Sequence, residues 1–247
     1  MAAPLRLDPI EDAHEASKYQ QALLPRQMAS LRAFEAWSDA QPFGRRASKC
    51  YPSAETIELP RPGALRSFLG RMLLRRRSQD PGRGAITKRQ LATVLWAMQG
   101  QLGPSHRTSP SAGGLFPLEL YVTIQGAGVA GLAPGCYHYD PWRHVLECLG
   151  DGGVEGWYLE PERFAPAAAH IAVAAVLPRV RRKYADRGYR LALQECGHAS
   201  QNGLLAATAL GLACLPVSGF LDDRVHDALG LDGVEEVVLT LMPLGPR

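Results

Sequence analysis

The stretch from residue 189 to residue 212 does most to narrow what this chain can fold into. It reads as one long helix with apolar side chains around much of its circumference rather than along a single stripe. A helix of that kind cannot rest on a surface, because each face left in water forfeits burial, so it belongs at the centre of a domain. The 247 residues suffice to cover it, with the 46% apolar and 21% charged residues of an ordinary globular enzyme.

Further elements follow from periodicity. Leu65, Phe68, Leu69, Met72 and Leu73 fall at helical spacing. Thr87-Lys88-Arg89-Gln90 is a capping box opening a helix through Met98, with Leu91, Val94, Leu95 and Met98 on one face. Strand-like runs occupy 118–124, 136–139, 145–149 and 169–177, the last a buried strand. Asp222 caps a short helix to Leu229, and 234–242 is a final strand. Helices and strands that do not alternate regularly imply an α+β fold rather than a doubly wound sheet. Residues 1–64 are weakly periodic, rich in Pro, Ala and charge, and end in Leu59-Pro-Arg-Pro-Gly63. They are expected to form an N-terminal arm with short helices over 16–23 and 27–37, leaving 65–247 as the main domain.

Gly126-Ala-Gly128-Val-Ala-Gly131 matches the G-x-G-x-x-G of dinucleotide-binding folds. That fingerprint works only where a helix begins within it, so that the pyrophosphate meets the helix N-terminus. Here Leu-Ala-Pro-Gly-Cys-Tyr-His-Tyr follows, a turn into a strand, and a hairpin loop is expected instead. A net charge of +3 is too mild for a nucleic-acid binder. Five scattered cysteines, Cys50, Cys136, Cys148, Cys196 and Cys214, argue against a disulfide framework and for a reducing cytoplasm. Cys136-x-His138 and Cys196-x-His198 lack the company a zinc site needs and are read as packing residues, so no metal is expected. No secretory pattern or membrane-length run occurs, and a cytoplasmic protein follows.

Two segments carry chemistry. In Arg107-Thr-Ser-Pro110-Ser111-Ala112-Gly113-Gly114-Leu-Phe116-Pro, small residues leave main-chain N–H groups open to a flat or anionic ligand. The second is Lys183-Tyr184-Ala-Asp-Arg187-Gly-Tyr-Arg190, followed by Gln194-Glu195-Cys-Gly-His198-Ala-Ser-Gln201-Asn202. Together these resemble the flavin-dependent azoline dehydrogenases of the nitroreductase superfamily, which finish thiazole and oxazole rings on peptides. The resemblance covers 65–247, with a short further match at His14-Glu-Ala-Ser-Lys18.

The resemblance implies an FMN enzyme with the nitroreductase fold, an antiparallel sheet flanked by helices, assembled as an intertwined homodimer with flavin sites at the subunit interface. It carries over a phosphate clamp at Arg76-Arg77-Ser78, since guanidinium forks match phosphate oxygens. Family members often carry an Arg two residues beyond the Ser, where this chain has Asp80. It places Arg107, Pro110, Ser111, Ala112, Gly113 and Gly114 beside the isoalloxazine, Ser218 and Gly219 in a loop near the flavin ring, and Gln201 at the cofactor pocket or satisfying buried backbone. Arg187, Arg190, Glu195 and His198 are expected as internal ion pairs and helix packing.

Lys183 and Tyr184 are the expected catalytic pair. Turning an azoline into an azole removes a proton from Cα and a hydride from Cβ, the latter taken by the flavin, which returns its electrons to O2. An ordinary lysine, with a pKa of about 10.4, keeps its proton at neutral pH. Crowding by Arg181 and Arg182, with partial burial, is expected to lower that value. Tyr184 would hold the ring nitrogen or share the base role. An azoline-containing precursor peptide and a cyclodehydratase complex are the implied partners. The rival readings are an NAD(P)H-dependent nitro- or quinone reductase on the same fold, and a non-catalytic subunit of a synthetase complex.

Overall fold

A computed structural model of the chain describes residues 8–25, 27–29, 32–33 and 67–247. The elements, in chain order, are α1 (Pro9–Ser17), α2 (Phe68–Arg75), β1 (Ile86–Thr87), α3 (Lys88–Gln99), β2 (Gln101–Gly103), β3 (His106–Arg107), β4 (Leu118–Ile124), β5 (Val129–Ala130), β6 (Gly135–Asp140), β7 (Val145–Gly150), α4 (Pro161–Phe164), β8 (Ala169–Val176), α5 (Leu177–Tyr184), α6 (Arg187–Ala209), β9 (Leu212–Cys214), α7 (Asp222–Leu229) and β10 (Glu236–Pro246).

Six strands form the main sheet in the order β7-β6-β4-β8-β10-β9, every neighbouring pair antiparallel. Its centre is β8, buried along nearly its whole length and flanked by β4 and β10. Helices α3 and α6 cover one face. Leu91, Val94, Leu95 and Met98 from α3 meet Ala192, Ala199 and Leu204 from α6 over the inner residues of the sheet. Burying each of the larger α3 side chains contributes about 1.5–3 kcal/mol. Gly203 lets the helices approach closely, since a Cβ there would lie 2.9 Å from Met98 Cγ. Trp157, Tyr158, Phe164, Phe220, Val225 and Leu229 cover the other face.

The α+β reading holds, and the long helix is central. The capping box at Thr87 is formed in both limbs: Gln90 N–H donates to Thr87 Oγ1 (3.1 Å) and Thr87 N–H to Gln90 Oε1 (2.9 Å). The glycine-rich 126–131 segment holds no helix start. Gly128 lies so near Ala168 that a Cβ would fall 2.1 Å from its carbonyl oxygen, and Val129–Ala130 pairs with Ile86–Thr87.

Several expectations shift. The first N-terminal helix is Pro9–Ser17 rather than 16–23, because Asp8 caps it (Ile10 N–H to Oδ1, 2.9 Å) and Pro9 starts it. The second, over 27–37, falls largely outside the described residues, as does Cys50. Asp222 does not cap its helix: Leu221 is the N-cap, and the Asp222 carboxylate instead accepts the Tyr19 N–H at 2.9 Å. The 169–177 run ends one residue early, where Pro178 turns the chain into α5, a helix the apolar pattern did not announce. The last strand runs on to Pro246. No helix of the described residues is long and apolar enough to cross a membrane.

Candidate functional site

Helix α5 carries Lys183 and Tyr184 in its final turn and stops at Ala185, whose φ of 46° and ψ of −133° suit glycine. A non-glycine residue held there stores about 1–3 kcal/mol of strain. The reversal is held by Ala185 N–H to Arg181 O (2.8 Å) and Gly188 N–H to Ala185 O (2.9 Å). Gly188 then fits against the Arg181 backbone, where a Cβ would sit 3.0 Å from Arg181 N.

That reversal delivers the pair onto the glycine turn. A Cβ built on Gly113 would lie 2.7 Å from both Lys183 Nζ and Tyr184 Oη. Two segments 70 positions apart in sequence, Gly113 and Lys183, therefore meet in van der Waals contact. Gly113 (φ 63°) and Gly114 (φ 64°) both adopt the left-handed conformation that makes the turn possible.

The turn is less bare than its composition implies. Glu195, 4% exposed on the buried stripe of α6, accepts the Ala112 N–H (2.8 Å) and the Ser111 hydroxyl (3.0 Å) through one oxygen. Ser111 Oγ in turn accepts the Phe116 N–H (2.8 Å), and Gly114 N–H returns to Ser111 O (3.1 Å). Burial pushes the Glu195 carboxyl above its ordinary pKa, against the pull of those donors. Glu195 thus turned out to brace the turn, a role between the packing expected for it and chemistry. Arg187, Arg190 and His198 are exposed and make no ion pair among the described residues, so the internal ion pairs expected of them are absent there.

Arg107 enters the turn from β3. Its Nε donates to Gln101 (3.1 Å), its Nη1 to Gln99 (3.0 Å), and its guanidinium lies 4.5 Å over the Phe116 ring. Half-burial lowers its pKa, the neighbouring Glu119 acting the other way. Asn202, from α6, donates to Thr108 O (3.1 Å) and Ser109 Oγ (3.0 Å), so it satisfies the backbone upstream of the turn. Pro110 is exposed and Gln201 half-buried.

The remaining candidates come from other segments of the chain. Arg76 is half-buried, while Arg77 and Ser78 are exposed, and Arg77 caps its own helix by donating to Leu74 O (3.2 Å) and Arg76 O (3.0 Å). Asp80 is clasped by Arg163 through two 3.0 Å bonds. The next residues run against the C-terminus: Gly82 N–H donates to Pro246 O at 2.7 Å. Ser218 is exposed, and Gly219 accepts the Leu159 N–H at 3.0 Å. No side-chain hydrogen bond joins these groups to the 107–116 turn among the described residues.

Lys183 itself is exposed. Arg181, two residues before it, ion-pairs with Asp8, the N-cap of α1. The His14–Lys18 motif anchors α1. Buried His14 meets Tyr189 Oη at 3.1 Å, and buried Lys18 donates to Gly233 O at 3.0 Å. Cys136 and Cys196 are packing residues, but His138 and His198 are not: His138 is held between two carboxylates and His198 faces solvent. A cleft of about 520 Å³ between α3 and the β6–β7 hairpin has Leu91, Leu95, Leu132 and Leu146 in its lining and does not include the Lys183–Tyr184 pair. Base-capable and hydrogen-bonding side chains converge at the turn rather than in that apolar cleft.

Known proteins share this fold. The model of the nitroreductase family matches residues 83–245. The Methanocaldococcus jannaschii protein MJ1384, named as a nitroreductase, is 34% identical over 199 residues, 78% of this chain and 98% of that protein. The Escherichia coli microcin B17-processing protein McbC is 28% identical over 137 residues, 53% of this chain but only 50% of McbC. Among solved structures, a chain of the E. coli microcin synthetase McbBCD complex with truncated pro-MccB17 bound superposes with a TM-score of 0.73 at 21% identity, covering 98% of this chain and 94% of that one, which shows a shared fold. With the family model matched over most of its length, a relative spanned almost end to end, and the expected sheet flanked by helices in place, the chain belongs to the nitroreductase family.

Proposed function

We propose that this chain is an FMN-dependent dehydrogenase that oxidises thiazolines or oxazolines on a ribosomally made peptide to thiazoles or oxazoles, with O2 as final electron acceptor. The observation that carries this reading is the meeting of Lys183 Nζ and Tyr184 Oη at Gly113. A simple nitro reduction needs no such pair, whereas removal of the azoline Cα proton needs a base and a group to hold the ring. The likeness to McbC, a peptide-processing protein, points the same way.

The residues present suit a flat anionic cofactor. Gly114 has open space where a side chain would stand, with nothing within 4 Å of a built Cβ. Arg107 is fixed by Gln99, Gln101 and Phe116. We assign the ring side to Arg107, Pro110, Ser111, Ala112, Gly113, Gly114, Gln201, Ser218 and Gly219, and the phosphate side to Arg76, Arg77 and Ser78. Bound FMN would supply the two-electron acceptor. Lys183 Nζ takes the Cα proton, Tyr184 Oη holds the ring nitrogen, and Glu195 fixes the turn beneath them. A second copy of the chain would close the exposed side of Lys183, which is why we infer a homodimer. A cyclodehydratase complex would supply the azoline, and residues 1–64 and 65–247 would serve as arm and cofactor domain.

MJ1384 supports a second reading, a general NAD(P)H-dependent reductase, because it is matched over nearly its whole length under a nitroreductase name. Spectra of the FMN-loaded protein separate the two. Anaerobic bleaching by an azoline peptide, and not by NADPH, is expected. Lys183→Ala should abolish that bleaching and leave the flavin bound. Bleaching by NADPH alone, unaffected by Lys183→Ala, would establish the reductase.

A further inference from the structure

Helix α5 must be held against the glycine turn for its last residues to reach Gly113. Among the described residues, the side-chain hydrogen bonds that make this tie come from Arg179, one turn before Lys183 on the same face of the helix. Its Nη1 donates to Phe116 O (3.2 Å) and pairs with Glu119 Oε1. Phe116 needs the support. Its φ of 45° is left-handed, and its N–H and ring are already gripped by Ser111 and Arg107.

The tie does not end at Glu119. The other carboxylate oxygen of Glu119 lies 2.8 Å from His138 Nε2, and His138 Nδ1 lies 2.9 Å from Glu147 Oε2. Strand register explains the chain of contacts. His138 faces Tyr121 on β4, placing Glu119 on the diagonal, and directly faces Glu147 on β7. Both ring nitrogens point at carboxylate oxygens, so each must carry a proton to donate. A neutral imidazole would aim a lone pair at one of them.

We propose that the imidazolium of His138 is a positioning residue, acting through Glu119 and Arg179 to hold α5 and the Phe116 end of the turn in register, so that Lys183 and Tyr184 stay seated on Gly113. This rests on the functional reading above for its consequence in turnover, but not for its structural content.

The groups facing His138 leave it as the one that titrates. Glu119 and Tyr121 face it from β4, Glu147 from β7 with Arg143 from the preceding turn, Arg179 from α5, and Glu236 of β10 through the Tyr121 hydroxyl (2.7 Å). Burial pushes the Glu119 carboxyl up, but donation from His138 and Arg179 outweighs it and holds it below its ordinary range. Burial and Glu236 keep the Tyr121 hydroxyl protonated. The hydrogen bond to Glu119, helped by Glu147, pushes His138 up to about 8.

The test is amide hydrogen exchange across 111–116 and 179–184 from pH 6.5 to 9.5, corrected for intrinsic chemistry, with histidine NMR following His138 in the same wild-type samples. Protection of both segments should fall about fivefold through the His138 titration, the size of one ordinary hydrogen bond. His138→Gln should show the lower protection throughout, with no step. Arg179→Gln should do the same, and the wild-type titration stands if either variant fails to fold. Protection that ignores the His138 titration, or a step that survives in His138→Gln, overturns the proposal. A step in exchange without azoline turnover would leave the relay standing and sink only the functional reading. Turnover with pH-independent exchange would do the reverse.

Discussion

Replacing Gly113 by Ala tests whether the meeting of the two segments does chemistry. The added Cβ would lie 2.7 Å from Lys183 Nζ and from Tyr184 Oη, so both ends must retreat by about 0.7 Å to reach the 3.4 Å of ordinary contact. They are the tips of flexible side chains, and the retreat costs little stability. The backbone sets the larger stability cost: a non-glycine residue at φ 63° loses about 1–2 kcal/mol. For a chain of this length that is a fall in Tm of about 2–8 °C. Activity should suffer far more, since misplacing reacting groups by nearly 1 Å costs roughly tenfold to a hundredfold in kcat. Gly211→Ala, outside the proposed site, is the matched control, having a similar left-handed backbone (φ 73°) but open space around its Cβ. The two variants should melt alike in thermal unfolding followed by circular dichroism. In single-turnover azoline oxidation only Gly113→Ala should slow. Equal rates in the two variants would refute the reasoning, because backbone strain would then account for everything.

Glu195→Ala strips the acceptor from the Ala112 N–H and the Ser111 hydroxyl and should cost about 1–3 kcal/mol in urea unfolding, most of it recovered in Glu195→Gln; an alanine variant as stable as wild type would show that the brace is idle. Acid should destabilise the fold between pH 6.5 and 4. Burial pushes both His170 and His226 down to about 4, and His226 Nε2 already accepts the Val238 N–H, so the folded state refuses protons that the unfolded chain binds. The stability that depends on these two histidines is therefore complete above pH 6.5 and is lost as the pH falls toward 4. Asp222, which burial pushes up to about 6, works in the opposite direction, leaving a net loss of about 4 kcal/mol at most. Urea midpoints that do not move between pH 7 and pH 4 would contradict this.

How much of the site could be read beforehand depended on whether the signal was local. The Thr87 box, the β4 run and the absence of a helix in 126–131 follow from neighbours a few residues apart, and they appear where expected. The family resemblance singled out Lys183, Tyr184 and the Ser111–Gly114 turn. Helix α5 went unseen because its seven residues after Leu177 hold three arginines, a lysine and a proline, with Val180 as the single aliphatic residue. Glu195 was undervalued for a related reason. A carboxylate on an apolar helix gives no sign in sequence of the backbone it will meet, and its partners lie 83 and 84 residues away.

The sequence alone thus determined the class of fold, the central helix and the residue types at the turn, because periodicity and capping act over one or two turns of chain. Only tertiary structure decided that Lys183 and Tyr184 rest on Gly113, that Glu195 braces the turn, and that His138 is tied through Glu119 to Arg179. Those contacts join separate strands and helices, and their geometry is set by strand register and by the bend at Ala185, neither of which is written in any single stretch of residues.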